Sequence, residues 1–379
     1  MHGLGLATMV TAAGAVLLGA VPAAASGWTV VASPPSDGGF FNAVSARTDT
    51  DAWAVGDLSA TTPLTARWNG TSWAQVPGPT VTGARNTVLN AVSAASATDA
   101  WAVGRATVSL VTSSLAAHWN GTAWTVVATP EVSGSVLTSV ADISPGDAYA
   151  VGESEALHWD GTSWSAFAVP VPGGGTPAGL SAVAADAAND VWIAGQYFDS
   201  ATAALEPFTA HWNGTAWATV PVPASGAELA SLAVISHADA WAVGIGPKGH
   251  AVTENWTGGR SWHMVANPAS GLLLSVTGTG PGSVTAAGHN TTANGPTAAI
   301  ILSWNGSAWT KVSVPKVGAT EELDSASAAP GGMLTWAFGR STSSGGAVSN
   351  LTLEHDIVVI HVRAARHPRT SPPGAGGDG

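Results

Sequence analysis

The chain of 379 residues contains no cysteine, which excludes disulfides, thiolate metal sites, cysteine nucleophiles and a lipidated N-terminal cysteine. Charge is also scarce: 9% of the residues are charged, against about 25% in an average soluble domain. Lys and Arg number 12 against 24 Asp and Glu, a formal net charge of -12. Nucleic acids and anionic membranes both need a concentrated basic surface, so neither is expected as a partner. Beyond the N-terminus, Gly, Pro and Thr interrupt the apolar stretches too often for membrane-spanning helices.

What is abundant is Gly (46), Pro (23) and Trp (18). The first Asp, Glu, Lys or Arg is Asp37. Before it, an apolar stretch from Leu4 to Val21 runs into Pro22-Ala23-Ala24-Ala25-Ser26. That is the pattern of a secretory signal over residues 1–25, with cleavage near Ala25, although the segment ahead of it has His2 and no Lys or Arg. Whether cleaved or kept as an anchor, it places the rest of the chain in a secreted or cell-surface location. At the other end, residues 361–379 combine Pro, Gly and Arg without apolar periodicity and read as a disordered tail.

Between these ends the sequence repeats with a period of roughly 47 residues. DAWAVG begins at Asp51, Asp99 and Asp239, with variants at Asp147, Asp190, Ser283 and Leu334. The first six are each followed by a string such as RWNGTSW (from Arg67) or HWNGTAW (from His118), and all seven are preceded by one such as FNAVSA or LNAVSA. The preceding string alternates and forms a first strand. DAWAVG, closed by Gly, forms a second, and the residues leading to His-Trp form a third. Asn-Gly fits a two-residue type I′ turn, and Thr-x-Trp opens a fourth strand. Trp68 and Trp73 then lie diagonally across that hairpin on one face.

A four-stranded antiparallel meander at this period is a propeller blade. The expected fold over residues 27–360 is therefore an all-β, seven-bladed β-propeller. The seventh unit lacks a fourth strand. Gly27-Trp28-Thr29-Val30-Val31 at the other end matches Ala123-Trp124-Thr125-Val126-Val127, so the N-terminal strand is expected to close the ring. The rival for that place is the Ile357 segment. With the Gly closing strand two and the turn TGGRSW at Thr257, the chain resembles secreted bacterial β-propellers of the kelch and Asp-box type. That resemblance implies the fold and leaves function open, because propellers host many unrelated activities.

The repeated Trp read as packing between blades. Burying about 150–250 Å² of each contributes roughly 4–6 kcal/mol. His118, His158 and His211 occupy equivalent positions in different blades, too far apart to share a metal, so no metal or cofactor is expected. Asp51, Asp99, Asp147, Asp190 and Asp239, which open five of the second strands, are expected to accept hydrogen bonds from the preceding turn.

Function is expected on the face where loop length and chemistry vary. The position after the Gly of strand two holds Asp57, Arg105, Glu153, Gln196, Ile245, His289 and Arg340. These either ring the channel mouth as a binding surface or are ordinary solvated loop starts. The loop after Gly195 adds Tyr197, Phe198 and Asp199, which either reach out to a ligand or fold back onto the blade. The reading that follows is a non-catalytic recognition or scaffold module, a monomer, binding a glycan or an extracellular protein. The alternative is a secreted glycosidase or lyase at the channel mouth, which requires carboxylates such as Asp57 and Glu153 to stand about 5–10 Å apart.

Overall fold

A computed structural model describes residues 27–34, 38–58, 62–130, 132, 134–290 and 298–356. The expected signal segment, the Ile357 segment and the C-terminal tail lie outside the described residues. Seven four-stranded antiparallel sheets, numbered here as blades 1 to 7 from the N-terminus, make a ring. Their inner strands are Phe40–Thr48, Ala84–Ser96, Leu137–Ser144, Pro177–Ala187, Glu228–Ser236, Leu272–Gly280 and Thr320–Ala328. Blade 7 meets blade 1 through hydrogen bonds from the Val44 and Ala46 amides to Ser325 Oγ (3.2 Å) and Ser327 Oγ (2.9 Å).

The ring is closed by the N-terminal strand Thr29–Val30. It pairs antiparallel to Val348–Asp356, with Thr29 opposite Glu354 and Val30 opposite Leu353. Trp28, 6% exposed, packs among Ala287, Ile301, Leu323 and Ala337 between blades 6 and 7.

The Trp residues form inter-blade triads. Trp53 of blade 1 sits 4.8 Å from Trp119 and 5.0 Å from Trp124 of blade 2, both near edge-to-face. Trp101 meets Trp159 and Trp164 at 5.0 and 4.8 Å, and Trp336 meets Trp68 and Trp73 at 4.9 and 5.1 Å. This geometry places the positive ring edge on the negative ring face and adds to the gain from burial. Two junctions depart from it. Between blades 3 and 4, Tyr149 takes the second-strand position and Phe167 fills the space, stacked 5.4 Å from Trp217. Between blades 6 and 7 the second strand offers Thr285, and His355 stands 5.4 Å from Trp28.

Each second strand needs Gly at the position where it presses on its inner strand, although all but that of blade 3 continue past it. A Cβ on Gly56 would overlap the carbonyl oxygen of Phe40, and one on Gly104 that of Val88. The same overlap recurs at Gly152, Gly195, Gly244, Gly288 and Gly339. The pressure coincides with a bulge in the inner strand, where the register slips past Asn42 in blade 1 and Asn90 in blade 2.

Two local expectations are corrected. The third-to-fourth hairpin is not a two-residue turn: Trp68 pairs directly with Trp73, and Asn69 to Ser72 form the connection. Gly70 has φ 94°, but Asn69 does not share a positive φ. Instead Asn69 Oδ1 accepts from the Thr71 amide (2.9 Å), the Thr71 hydroxyl (2.8 Å) and the Ser72 amide (3.0 Å). That side-chain cap replaces the second left-handed residue.

The Asp opening the second strand is held by the third strand rather than by the preceding turn. Asp51 takes Arg67 (2.7 Å), Asp99 takes His118 (2.6 Å), Asp147 takes His158 (2.9 Å), Asp190 takes His211 (2.7 Å) and Asp239 takes Asn255 (2.7 Å). Arg67 and Arg47 hold the Asp51 carboxyl below its ordinary range against the effect of burial. The three histidines are thus committed one per blade to a carboxylate beside an aromatic ring.

Candidate functional site

The inner-strand bulges build the central channel. The residue each pushes out is the second letter of the FNAVSA-like strings: Asn42, Asn90, Thr138, Ser181, Ala230, Leu274 and Asp324. All seven line a cavity of about 150 Å³ on the ring axis. The first four donate in turn to the next blade's backbone. Asn42 Nδ2 reaches Leu89 O (3.0 Å) and Asn90 Nδ2 reaches Leu137 O (2.8 Å). Thr138 Oγ1 reaches Leu180 O (3.3 Å) and Ser181 Oγ reaches Leu229 O (2.6 Å). Ala230 and Leu274 have no donor, and the last position holds Asp324, an acceptor when ionised. The hydrogen-bonded girdle thus runs over blades 1 to 5 and is interrupted over blades 6 and 7.

Polar side chains collect where the girdle stops. Arg340 Nε lies 3.6 Å from Asp324 Oδ2, and its Nη2 is 3.5 Å from Asn42 Oδ1. Its guanidinium stands 5.2 Å from the centre of the Phe40 ring. Asn42 Nδ2 also donates to Asp57 Oδ1 at 3.3 Å. Burial raises the Asp324 carboxyl above its ordinary range. Arg340 opposes that rise, Glu322 adds to it and His289 opposes it. Three of the expected ring residues, Asp57, His289 and Arg340, therefore share one arc of the mouth with Asn42 and Asp324. The last two occupy the variable second letter of the first-strand string, which is the signal for them in the sequence.

The other expected residues are not part of that arc. Arg105 is half-buried on blade 2 and Glu153 is exposed on blade 3. Gln196 is a tether, its amide donating to Ala227 O at 3.4 Å. What was expected as a loop after Gly195 is an extended hairpin: strand Asp190–Asp199 pairs with Ala204–Trp212 well beyond the Gly. Tyr197 turns inward against Phe208 at 6.1 Å. Asp199 caps the turn by accepting from the Ala201 amide at 2.8 Å. Glu206 accepts from the Ser225 hydroxyl and from the Gly226 amide (2.8 Å). Only Phe198 points out, 59% exposed, opposite Leu205. Asp57 and Glu153, the pair the glycosidase alternative requires, belong to different neighbourhoods.

The two faces of the ring differ in kind. On one, third-strand indoles donate to first-turn carbonyls in repeated fashion: Trp68 to Asp49 (3.0 Å), Trp119 to Ala97 (3.2 Å), Trp159 to Pro145 (3.0 Å), Trp212 to Ala188 (3.2 Å) and Trp304 to Pro281 (3.1 Å). On the other, the second-to-third hairpins differ from blade to blade. The paired strands reach Val108–Val111 in blade 2 and Asp199–Ala204 in blade 4, but stop at Gly152 in blade 3.

The chain is thus a seven-bladed β-propeller with one uniform and one variable face. No protein-family model matches it, and no curated protein matches its sequence. Among solved structures it is similar to YCF48 from Cyanidioschyzon merolae, with TM-score 0.58 and 14% identity over 87% of this chain and 98% of that one. YCF48 bound to D1 peptide gives TM-score 0.58 and 14% identity over 87% and 97%. The WD40 repeats of RRP9 give TM-score 0.60 and 11% identity over 88% and 98%. At these identities the likeness concerns the fold.

Proposed function

We propose that the chain is an exported, non-catalytic scaffold that binds a protein or peptide through its variable face. The observation that carries this reading is the asymmetry of the faces: one repeats the same turn and indole bond in blades 1 to 4 and 6, while the other changes hairpin height and chemistry from blade to blade. Residues that serve only the ring have no reason to diverge on one face alone. A propeller of similar fold, YCF48 bound to D1 peptide, supports the class of ligand. The apolar stretch ending at Ala25 supports export.

A photo-reactive phenylalanine analogue at Leu110 or Phe198, on the variable face, should give discrete protein adducts in the native host. The same analogue at Ala123 or Ala216, on the uniform face, should give none. Adducts confined to the uniform face would refute the reading. Export predicts that protein recovered from outside the cell begins near Ser26. Recovery only from the cytosol, with Met1 retained, would remove that part.

A further inference from the structure

The variable face carries a notch at blade 3. Its second strand, Asp147–Gly152, has 6 residues, whereas those of blades 2 and 4, Asp99–Val108 and Asp190–Asp199, have 10 each. At about 3.4 Å per residue, blade 3 stops roughly 13 Å short of its neighbours. The sequence shows the cause: only Glu153, Ser154 and Glu155 separate Gly152 from the third strand Ala156–Trp159. The flanking hairpins end in exposed apolar side chains, Leu110 (83% exposed) on blade 2 and Phe198 (59%) on blade 4. Ser109 and Leu110 both have positive φ, 49° and 68°. Both values are those a two-residue turn between the paired Val108 and Val111 requires, and the turn leaves the Leu110 side chain in solvent.

A groove of about 360 Å³ opens at the floor of the notch, along the junction with blade 4. It is lined by Phe167, Val169, Pro177 and Leu180 together with Glu153 and Glu155. Phe167 is fixed from behind by its stack on Trp217. Glu155 is 7% exposed; one carboxylate oxygen accepts from the Ser135 hydroxyl, and Oε2 has no protein partner. Among the described residues that line the groove there is no Lys, Arg or His. A buried carboxylate oxygen left without a donor is expensive, and a cationic donor satisfies it better than a neutral one.

Building on the protein-binding reading, we infer that this groove receives a lysine or arginine side chain of an extended peptide segment. The charged head meets Glu155 and Glu153, and the aliphatic stem lies on Phe167, Val169 and Leu180. Apolar side chains on either side of that residue rest against Leu110 and Phe198. The occupant is a peptide rather than a small free cation because the hairpins of the two flanking blades carry exposed apolar side chains, Leu110 and Phe198, that a free cation cannot use. The overall charge of -12 favours the approach of a basic segment.

The test uses the full chain and a positional-scanning library of fluorescein-labelled, C-terminally amidated hexapeptides, read by fluorescence polarisation. Pools with a fixed lysine or arginine should bind at least ten-fold better than pools fixed as glutamate or norleucine. Glu155→Gln should abolish that preference and Glu153→Gln should weaken it. Leu110→Asn and Phe198→Ser should lower affinity while leaving the charge preference intact. Should Glu155→Gln fail to fold, Ala168→Lys provides the second arm. It places a cation at the exposed rim of the same groove and should block binding. Absence of a cationic preference, or a preference that survives in folded Glu155→Gln or in Ala168→Lys, overturns the inference. Displacement of the peptides by equimolar spermidine overturns it too, in favour of a free cation. Protein adducts from Leu110 and Phe198 that persist in Ala168→Lys would keep the scaffold reading and remove only the groove.

Discussion

Glu254 provides a test of the blade packing that needs no ligand. It lies on the third strand of blade 5 between Val252 and Trp256, is 0% exposed, and faces the junction with blade 4. One carboxyl oxygen accepts from the Ala224 amide at 3.0 Å, and Oε2 has no protein partner. Burial pushes its pKa from 4.5 up to about 7, against the pull of that amide. The folded state thus favours the neutral form. The resulting stabilisation is fully present below the unfolded value and is lost as pH rises through the folded one. A shift of this size corresponds to about 3 kcal/mol. Glu254→Gln keeps the carbonyl that accepts from Ala224 and removes the titration. Urea denaturation of both proteins should show the variant gaining on the wild type by about 3 kcal/mol between pH 4.5 and pH 8.5. Every other titrating group cancels in that difference. A variant whose relative stability is flat across this range would refute the assignment of a buried, neutral Glu254.

Further outcomes are expected by the same measurements. Asp142 joins blade 3 to blade 2 by accepting from the Ala95 amide at 3.1 Å, and burial with the nearby Asp99 raises its pKa from 3.8 to about 8. Its sign is the same as for Glu254, so Asp142→Asn should gain on the wild type by roughly 5 kcal/mol between pH 4 and pH 9. Trp101→Ala, emptying the centre of a complete triad, should cost about 3–5 kcal/mol, while Thr285→Ala at the equivalent place of blade 6 should cost under about 1. Trp28→Ala should cost about as much as Trp101→Ala if the N-terminal strand closes the ring as described; a cost under about 1 kcal/mol would return closure to the Ile357 segment. Gly104→Ala should cost at least about 1–3 kcal/mol, because its Cβ has no room against Val88.

The fold was legible because its information is periodic. A Trp, a closing Gly and an Asn-capped turn recur at fixed offsets, and even the detached strand at Trp28 carries the pattern that assigns it to blade 7. What was misread depended on geometry across strands. Asp51 and Arg67 are distant in the repeat string but adjacent once strands two and three pair in register. Asn69 satisfies a type I′ signal by composition, yet its side chain closes the turn in place of its backbone. The segment after Gly195 reads as a loop because Gly and Asp punctuate it, while the pairing of Phe198 with Leu205 continues the hairpin past those signals.

Repetition also explains why the candidate sites lie where they do. A position that is the same in every blade is answerable to the ring, as the second-strand Gly is. Positions released from that constraint appear where the repeat fails: at Asp324, where the channel girdle of hydrogen-bond donors ends, and at blade 3, where the second-to-third hairpin is cut short. Both failures gather acidic groups, Asp324 with Asp57 at the mouth and Glu155 with Glu153 in the notch, in a chain with only 24 such residues in all. The mouth answers its carboxylates internally through Arg340 and Asn42. The described residues lining the notch include no cation, so its carboxylates are the ones left to be answered by a partner.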